Sequence, residues 1–385
     1  MDQEYTPLDL SMLDLSTPLP TYPADFRSGF ASLVGRPNAG KSTLTNAMVG
    51  QKVAITSNRP QTTRHTIRGI VHKDEYQLIL VDTPGIHRPR TLLGERLNDL
   101  VASTLSQVDV LGFCIPANEK IGPGDRYIAS QLVASSNKPV VAIVTKADTV
   151  SSEELREQLL AVEALGEEVM SAERAARAKR AAHRAKQKGK GPKGKGGKND
   201  AVPFAKGSGP AAKRRAGEIS EPMPADGKGG WAAIIPVSAV KHFQVDAVAD
   251  LLAQYTPLSP PLYPDGELTD EPEATLIAEL VREAALEGAR EELPHSIAVT
   301  VEEMEFREGR PADNPLLDVH VNLYVERESQ KYIIIGKGGS NLRKIGTKAR
   351  EQIEAMLGTR IYLNIHVKVA KEWQSDARAL NRLGF

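Results

Sequence analysis

The octapeptide GRPNAGKS spans residues 35–42. Its two glycines, Gly35 and Gly40, let a backbone close around an anion and turn its N–H groups inward. Lys41 is placed to reach the outer phosphates of a nucleotide, and the Ser42 hydroxyl is a ligand for Mg2+. Arg36, Pro37, Asn38 and Ala39 complete the loop, and Thr43 stands in the first turn of the helix that starts at Lys41. A second short motif, Asp82-Thr83-Pro84-Gly85, follows the apolar run YQLILV. Asp82 stands where it can hold the Mg2+ shell, and the Gly85 N–H where it can sense a γ-phosphate. Between the two motifs, NRPQTTRHT (58–66) offers adjacent threonines, Thr62 and Thr63. A loop threonine that closes over Mg2+ and γ-phosphate is a common order–disorder device. We favour Thr63, although the sequence alone does not choose. The expected metal set is Ser42, Thr63 and Asp82.

Two further stretches bear on the base. TKAD (145–148) and SAV (238–240) each follow an apolar run. Asp148 can accept from guanine N1–H and N2–H2, donors that adenine lacks, so an adenine compound would leave a buried acceptor unpaired. The backbone around Ala239, between Ser238 and Val240, can meet guanine O6, and Thr145 and Lys146 flank the same ring. Phosphate, metal and base motifs in this order imply a site that binds GTP and GDP with Mg2+ and hydrolyses GTP. Lys41, Thr63 and Gly85 are the expected catalytic groups. The residue after Gly85 is Ile86, where Ras-like enzymes carry a water-orienting Gln, so unassisted turnover near roughly 10⁻⁴ per second is expected.

A different chemistry lies near the other end. Gly336-Lys337-Gly338-Gly339 turns from the apolar Ile333–Ile335 into a helix whose stripe is Leu342, Ile345, Ala349, Ile353 and Met356. Arg343 and Lys344, with Lys348 and Arg350, decorate that helix. A glycine turn at a helix N-terminus brings backbone close to phosphates. The arrangement resembles a KH domain, whose GxxG loop clamps about four nucleotides of a single strand.

Loops with these duties must hang from a rigid frame. FASLV (30–34), IRGIVH (67–72), YQLILV (76–81), VDVLGFCI (108–115), PVVAIVT (139–145) and WAAIIPVS (231–238) read as strands, mostly apolar at every position, with helical patterns in the gaps. That predicts an α/β domain with a mostly parallel sheet and helices on both faces. Beyond the Pro-rich stretch 257–273 the strands alternate with period two, predicting an α+β domain. The expected division is a disordered leader (1–26), a G domain (27–262), a linker (263–273) and an RNA-binding KH domain (274–385).

The chain has 385 residues and no net charge, but residues 174–215 hold 15 Lys and Arg against one acid, Asp200. That segment carries +14 and the remainder −14, an asymmetry typical of an arm that meets polyanions. Between Asp148 and Ser238 lie 89 residues, where a crossover needs about a dozen. A helix over 151–170, extended as a polar helix to about Gln187, would leave the rest of an insertion at about 171–230 disordered. Such an insertion is tolerated because loop-closure entropy grows only logarithmically with length. Its readings are a plain linker, an RNA-binding arm or a membrane-surface contact. Cys114 is the only cysteine, which excludes an intrachain disulfide and suits a reducing compartment; it reads as a core residue. The histidines, including His65 and His87, show no metal-ligand spacing. No run is long and apolar enough to span a membrane.

Taken in order, GRPNAGKS, QTTRH, DTPG, TKAD, SAV and EELPHSIAV (291–299) resemble the Era family of translation-factor-class GTPases, with a type II KH domain at the end. The resemblance covers the chain apart from the leader and residues 151–230. It implies binding of the 3′ end of small-subunit (16S) ribosomal RNA and a part in maturing the 30S subunit. It also implies a cytoplasmic monomer, with peripheral membrane association as a further expectation, and K+ held by Asn38 in place of an arginine finger. Thr145 stands where the family has Asn, which puts the base N7 contact and the bracing of the phosphate loop at stake. Two competing readings are a GTPase acting on tRNA or in membrane traffic, and an RNA-binding protein with a decayed nucleotide site. The first leaves the KH-like domain unexplained. Intact Lys41, Ser42, Asp82 and Asp148 oppose the second.

Overall fold

The computed structural model describes residues 22–56, 63–64, 66–85, 91–135, 138–188, 230–288, 296–311 and 313–385, with 181–188 as backbone only. Most of the expected leader, Thr62, Ile86, the Gly/Lys-rich insertion beyond Lys188 and the EELPH phrase lie outside the described residues.

The first half runs β1 (Arg27–Gly35), α1 (Lys41–Val49), β2 (Ile67–His72), β3 (Tyr76–Asp82), α2 (Leu92–Gln107), β4 (Val110–Pro116), α3 (Pro123–Ser135), β5 (Val140–Thr145), α4 (Ser152–Lys188), β6 (Ala233–Pro236) and α5 (Val245–Ala253). Among the described residues the strands form one six-stranded sheet in the order β2-β3-β1-β4-β5-β6. Every pairing is parallel except β2 with β3. Each residue of β3, β4 and β5 is buried. That is why these segments read as continuous apolar runs rather than alternating ones. One layer of core joins α1 and α5 through Leu44, Val248 and Leu252. The opposite layer joins α2, α3 and α4 through Val101, Ile128, Val162 and Leu165. Cys114 is fully buried, and burial pushes its thiol up to about 12, so it packs as a hydrophobe. The expected polar extension of α4 is present. Its last fully buried position is Val169, and Arg174, Arg177, Lys179 and Arg180 are exposed beyond it.

The second half runs α6 (Glu273–Gly288), β7 (Ala298–Phe306), β8 (Leu317–Val325), α7 (Glu328–Ile335), α8 (Ser340–Leu357), β9 (Ile361–Val369) and α9 (Ala377–Arg382). Its sheet is β7-β8-β9, antiparallel then parallel. The alternation in β8 buries Val319, Val321, Leu323 and Val325 against Ile277, Val281, Ile345 and Ile353 of α6 and α8. Of Ile333–Ile335 only Ile334 is buried, and Ile333 is 48% exposed. The segment is the end of α7, so only one face of it meets the core.

The linker is fastened rather than loose. Ile70 N donates to Leu268 O at 2.9 Å, Arg68 pairs with Asp270 at 2.7 Å, and Gln77 Nε2 donates to Tyr263 O at 2.8 Å. It therefore runs along β2, the strand at the sheet's edge. No helix among the described residues is long and apolar enough to cross a membrane.

Candidate active site and nucleic-acid interface

The phosphate loop sits at the carboxyl end of β1, where open parallel sheets receive ligands. Gly40 takes φ +86°, a left-handed conformation open to glycine, and Asn38 shares that region at φ +64°. A Cβ on Gly35 would stand 2.6 Å from Cys114 O, so β1 and β4 approach too closely there for any side chain. The Lys41 ammonium curls back over the loop, donating to Gly35 O at 3.3 Å and Arg36 O at 3.2 Å. Burial lowers its pKa, with Asp82 acting against that shift. The Arg36 side chain turns away to Asp125 (2.7 Å) and Glu119 (3.0 Å). Arg36 thus lies in the loop by its backbone, while its guanidinium fixes the loop to the start of α3.

Ser42, Thr63 and Asp82 converge. Ser42 Oγ donates to Asp82 Oδ2 at 2.7 Å, Thr63 Oγ1 lies 3.1 Å from Ser42 Oγ, and Thr63 Oγ1 reaches Asp82 Oδ2 at 3.3 Å. The second carboxylate oxygen, Asp82 Oδ1, is buried with no hydrogen-bond partner among the described residues. Burial raises the Asp82 pKa, and Lys41, Ser42 and Thr63 oppose the rise. Three oxygens, one of them an unsatisfied carboxylate oxygen, form a donor set that fits Mg2+. Thr83 Oγ1 instead bonds Leu33 O at 3.2 Å, tying β3 to β1. Pro84 and Gly85 follow, buried, and a Cβ on Gly85 would meet Pro37 N at 2.9 Å. The second motif therefore lies directly on the phosphate loop.

On the base side, Thr145 answers the question raised by its identity. Its hydroxyl donates to Ala39 O at 2.7 Å, so it braces the phosphate loop from the end of β5. Ala147 N donates to Val237 O at 3.1 Å, joining the two base loops edge to edge. Lys146 adopts φ +58° ahead of the short turn that presents Asp148 to solvent. Ser238 is buried and its Oγ accepts from Lys241 N at 3.1 Å, whereas Val240 is 73% exposed. Ser238 thus shapes its loop, and Ala239 follows it half-buried.

In the second domain Gly336, Gly338 and Gly339 all take positive φ, from +59° to +76°, at the entry to α8. Lys337, Arg343 and Lys344 are exposed beside them. A groove of about 430 Å³ runs on from this turn, with Arg343, Gly346 and Arg350 on one wall and Tyr362, Leu363 and Asn364 of β9 on the other. Sequence reasoning missed the β9 wall. Nothing in IYLNIHV says which helix its residues will face.

Two family models match: one described as a 50S ribosome-binding GTPase over residues 30–146, and a KH domain over 292–374. The GTPase Era of Streptomyces coelicolor is 56% identical over 93% of this chain and 95% of its own length. That of Mycobacterium avium is 54% identical over 94% of this chain and 99% of its own. This chain belongs to the Era family of GTPases. Solved Era structures agree. An Aquifex aeolicus Era variant bound to GDP and aluminium fluoride matches at a TM-score of 0.72, with 29% identity, 93% of this chain and 99% of that one covered. An Era complex with MgGDPNP and nucleotides 1506–1542 of 16S ribosomal RNA matches at the same TM-score, with 30% identity and the same coverage. Within this Era family frame, the Arg36–Asp125–Glu119 cluster was also missed, because ion pairs between distant segments leave no local signal.

Proposed function

We propose that this chain is a GTP-hydrolysing switch whose KH domain grips single-stranded small-subunit ribosomal RNA and assists assembly of the 30S subunit. The observation that carries the switch is the unpartnered buried Asp82 Oδ1 beside Ser42, Thr63 and the Lys41 ammonium. In this reading the loop from Gly35 to Thr43 wraps the phosphates with its N–H groups, and Lys41 balances charge on the outer ones. Asp148 and the backbone at Ala239 read guanine. Mg2+, when bound, neutralises charge building on the β- and γ-phosphate oxygens. Thr63 closes over it, and the Gly85 N–H reports whether the γ-phosphate is there. With Ile86 after Gly85, turnover is slow, and Asn38 would hold a K+ ion that would supply positive charge in place of an arginine finger.

RNA binding is supported by the glycine turn, the basic first turns of α8 and the groove beside β9. It is also what an Era relative's complex with 16S ribosomal RNA suggests. Among the cell's compartments the cytoplasm suits a monomer with this task. Nucleotide titration tests the reading directly. The chain should prefer GTP over ATP and XTP, Lys41→Ala should abolish binding, and a 16S 3′-end oligoribonucleotide should bind differently to the GTP-analogue and GDP forms. Equal affinity for guanine and adenine nucleotides would overturn it. Replacing K+ by Na+ should slow turnover; an unchanged rate removes Asn38 from the catalytic set.

A further inference from the structure

Glu119 lies in the loop between β4 and α3, outside every motif assigned to the nucleotide. Its carboxylate nevertheless meets two of them. Oε2 takes Arg36 Nη2 of the phosphate loop at 3.0 Å, and Oε1 lies 3.8 Å from Lys146 Nζ of the base loop. The loop that carries it is itself held. Gln158 Nε2, on α4, donates to Pro116 O at 3.0 Å and to Glu119 O at 2.9 Å. Gln158 is buried, so water does not compete for these bonds.

Arg36 cannot swing away from this contact. Asp125, fully buried at the start of α3, accepts from Arg36 Nε at 2.7 Å on one oxygen and from Gly122 N at 2.9 Å on the other. A buried carboxylate is costly unless paired, and Arg36 is the cation that pairs it. A Cβ on Gly124 would stand 3.0 Å from Arg36 Cδ, so the side chain crosses that glycine closely. At its other end, Arg36 O accepts from Ala39 N at 3.3 Å and from Lys41 Nζ at 3.2 Å. Arg36 is thus fixed at backbone and guanidinium, and Glu119 carries that fixity across to Lys146. The buried bond from Thr145 Oγ1 to Ala39 O joins the same two loops from beneath. Glu119 joins them a second time, half-buried at the surface.

We propose that Glu119 is a positioning residue for nucleotide binding, setting the spacing between the loop that wraps the phosphates and the loop that reads the base. This rests on the reading that phosphates lie in the loop from Gly35 to Thr43 and the base beside Lys146 and Asp148. A partly exposed ion pair contributes little to stability by itself. Its effect here is preorganisation: loops already at the right separation lose less freedom when one ligand must touch both. GDP and GTP share the base and the first two phosphates, so both depend on the bridge alike. The chemical step at the γ-phosphate does not.

The test uses the full chain with Mg2+, measuring GDP affinity and the KM and kcat for GTP. With chemistry this slow, KM equals the dissociation constant. Glu119→Ala should raise KM and weaken GDP binding about fivefold each while kcat stays within about twofold, the pattern of lost uniform binding. A merely structural residue would lower the active fraction, and apparent kcat with it, at unchanged KM. Glu119→Gln keeps an acceptor for Arg36 but no charge for Lys146, and should recover part of the loss. A double-mutant cycle reads the bridge itself: Lys146→Met should cost about threefold less GDP affinity in the Glu119→Ala background than in wild type. Additive effects, complete or absent recovery in Glu119→Gln, or an unchanged KM in Glu119→Ala overturn the proposal. Lys41→Ala separates the two levels. If it binds GDP like wild type, the underlying reading of the site fails and takes this inference with it; if it loses GDP while Glu119→Ala does not, this inference alone falls.

Discussion

Asp82 is held at odds with its own stability. Burial raises its pKa above the ordinary 3.8, so the fold favours the protonated acid while metal binding needs the charged one. A carboxyl shifted this way contributes stability below its ordinary value and loses that contribution as pH rises through the raised one. Whenever Asp82 is ionised in the nucleotide-free protein, burial therefore works against its charge. Asp82→Asn should raise its melting temperature at pH 7 while abolishing the dependence of GTP affinity on Mg2+; a lowered melting temperature would contradict the burial argument. For the same reason Mg2+-dependent binding should weaken, on acidification, at a higher pH than an ordinary aspartate would dictate. Thr145 makes the second prediction at this scale. Thr145→Val leaves Ala39 O without its donor, which costs about 1–3 kcal/mol, and should reduce GTP and GDP affinity together. Thr145→Asn should restore it. The convergence of Ser42, Thr63 and Asp82 was legible because a phosphate loop and its metal set restrict which residue types can stand there. That Thr145 could still brace the loop was not, since a hydroxyl's reach depends on where β5 ends.

The elements divide by how much of their partner the chain itself announces. The buried strands and the long helix over 151–187 were readable from period and composition. The groove wall contributed by β9 was not, because alternation assigns residues to two faces without naming what covers either. Tyr362 and Asn364 now stand opposite Arg343 and Arg350. Asn364→Ala should weaken binding of a short oligoribonucleotide selectively by sequence, measured across single-base variants, whereas Lys344→Ala should weaken all of them alike. The outer part of α4 presents Arg174, Arg177, Lys179 and Arg180 to solvent, on an element set between β5 and β6, at the sheet edge opposite β2. Of the readings of this segment, the RNA-binding arm is the one a salt titration tests. Deleting 174–215 should lower RNA affinity and flatten its dependence on salt, each lost phosphate contact reducing the slope by about 0.7–0.9, with GTP affinity unchanged. An unaltered slope would make the segment a linker only.

At the scale of the whole molecule the two domains share side chains rather than merely touching. Ile55 from the first lies in the core of the second, and Leu93 and Leu97 of α2 pack with Trp373, Leu380 and Leu383. The charges at this junction, where Lys52 pairs with Glu283 and Arg64 donates to Ile297 O, look in sequence like ordinary solvated surface, so the junction could not be foreseen. Calorimetry should show the domains melting in one transition, and Ile55→Ala, a change of about 2–5 kcal/mol in a packed site, should split it into two. The linker carries a consequence of its own. By lying along β2 with Leu268 O on Ile70 N, it occupies part of a ladder that would otherwise stand open. A protease nick there would do more than part the domains: it would bare a strand margin that recruits other chains, and the clipped protein should clump before it unfolds.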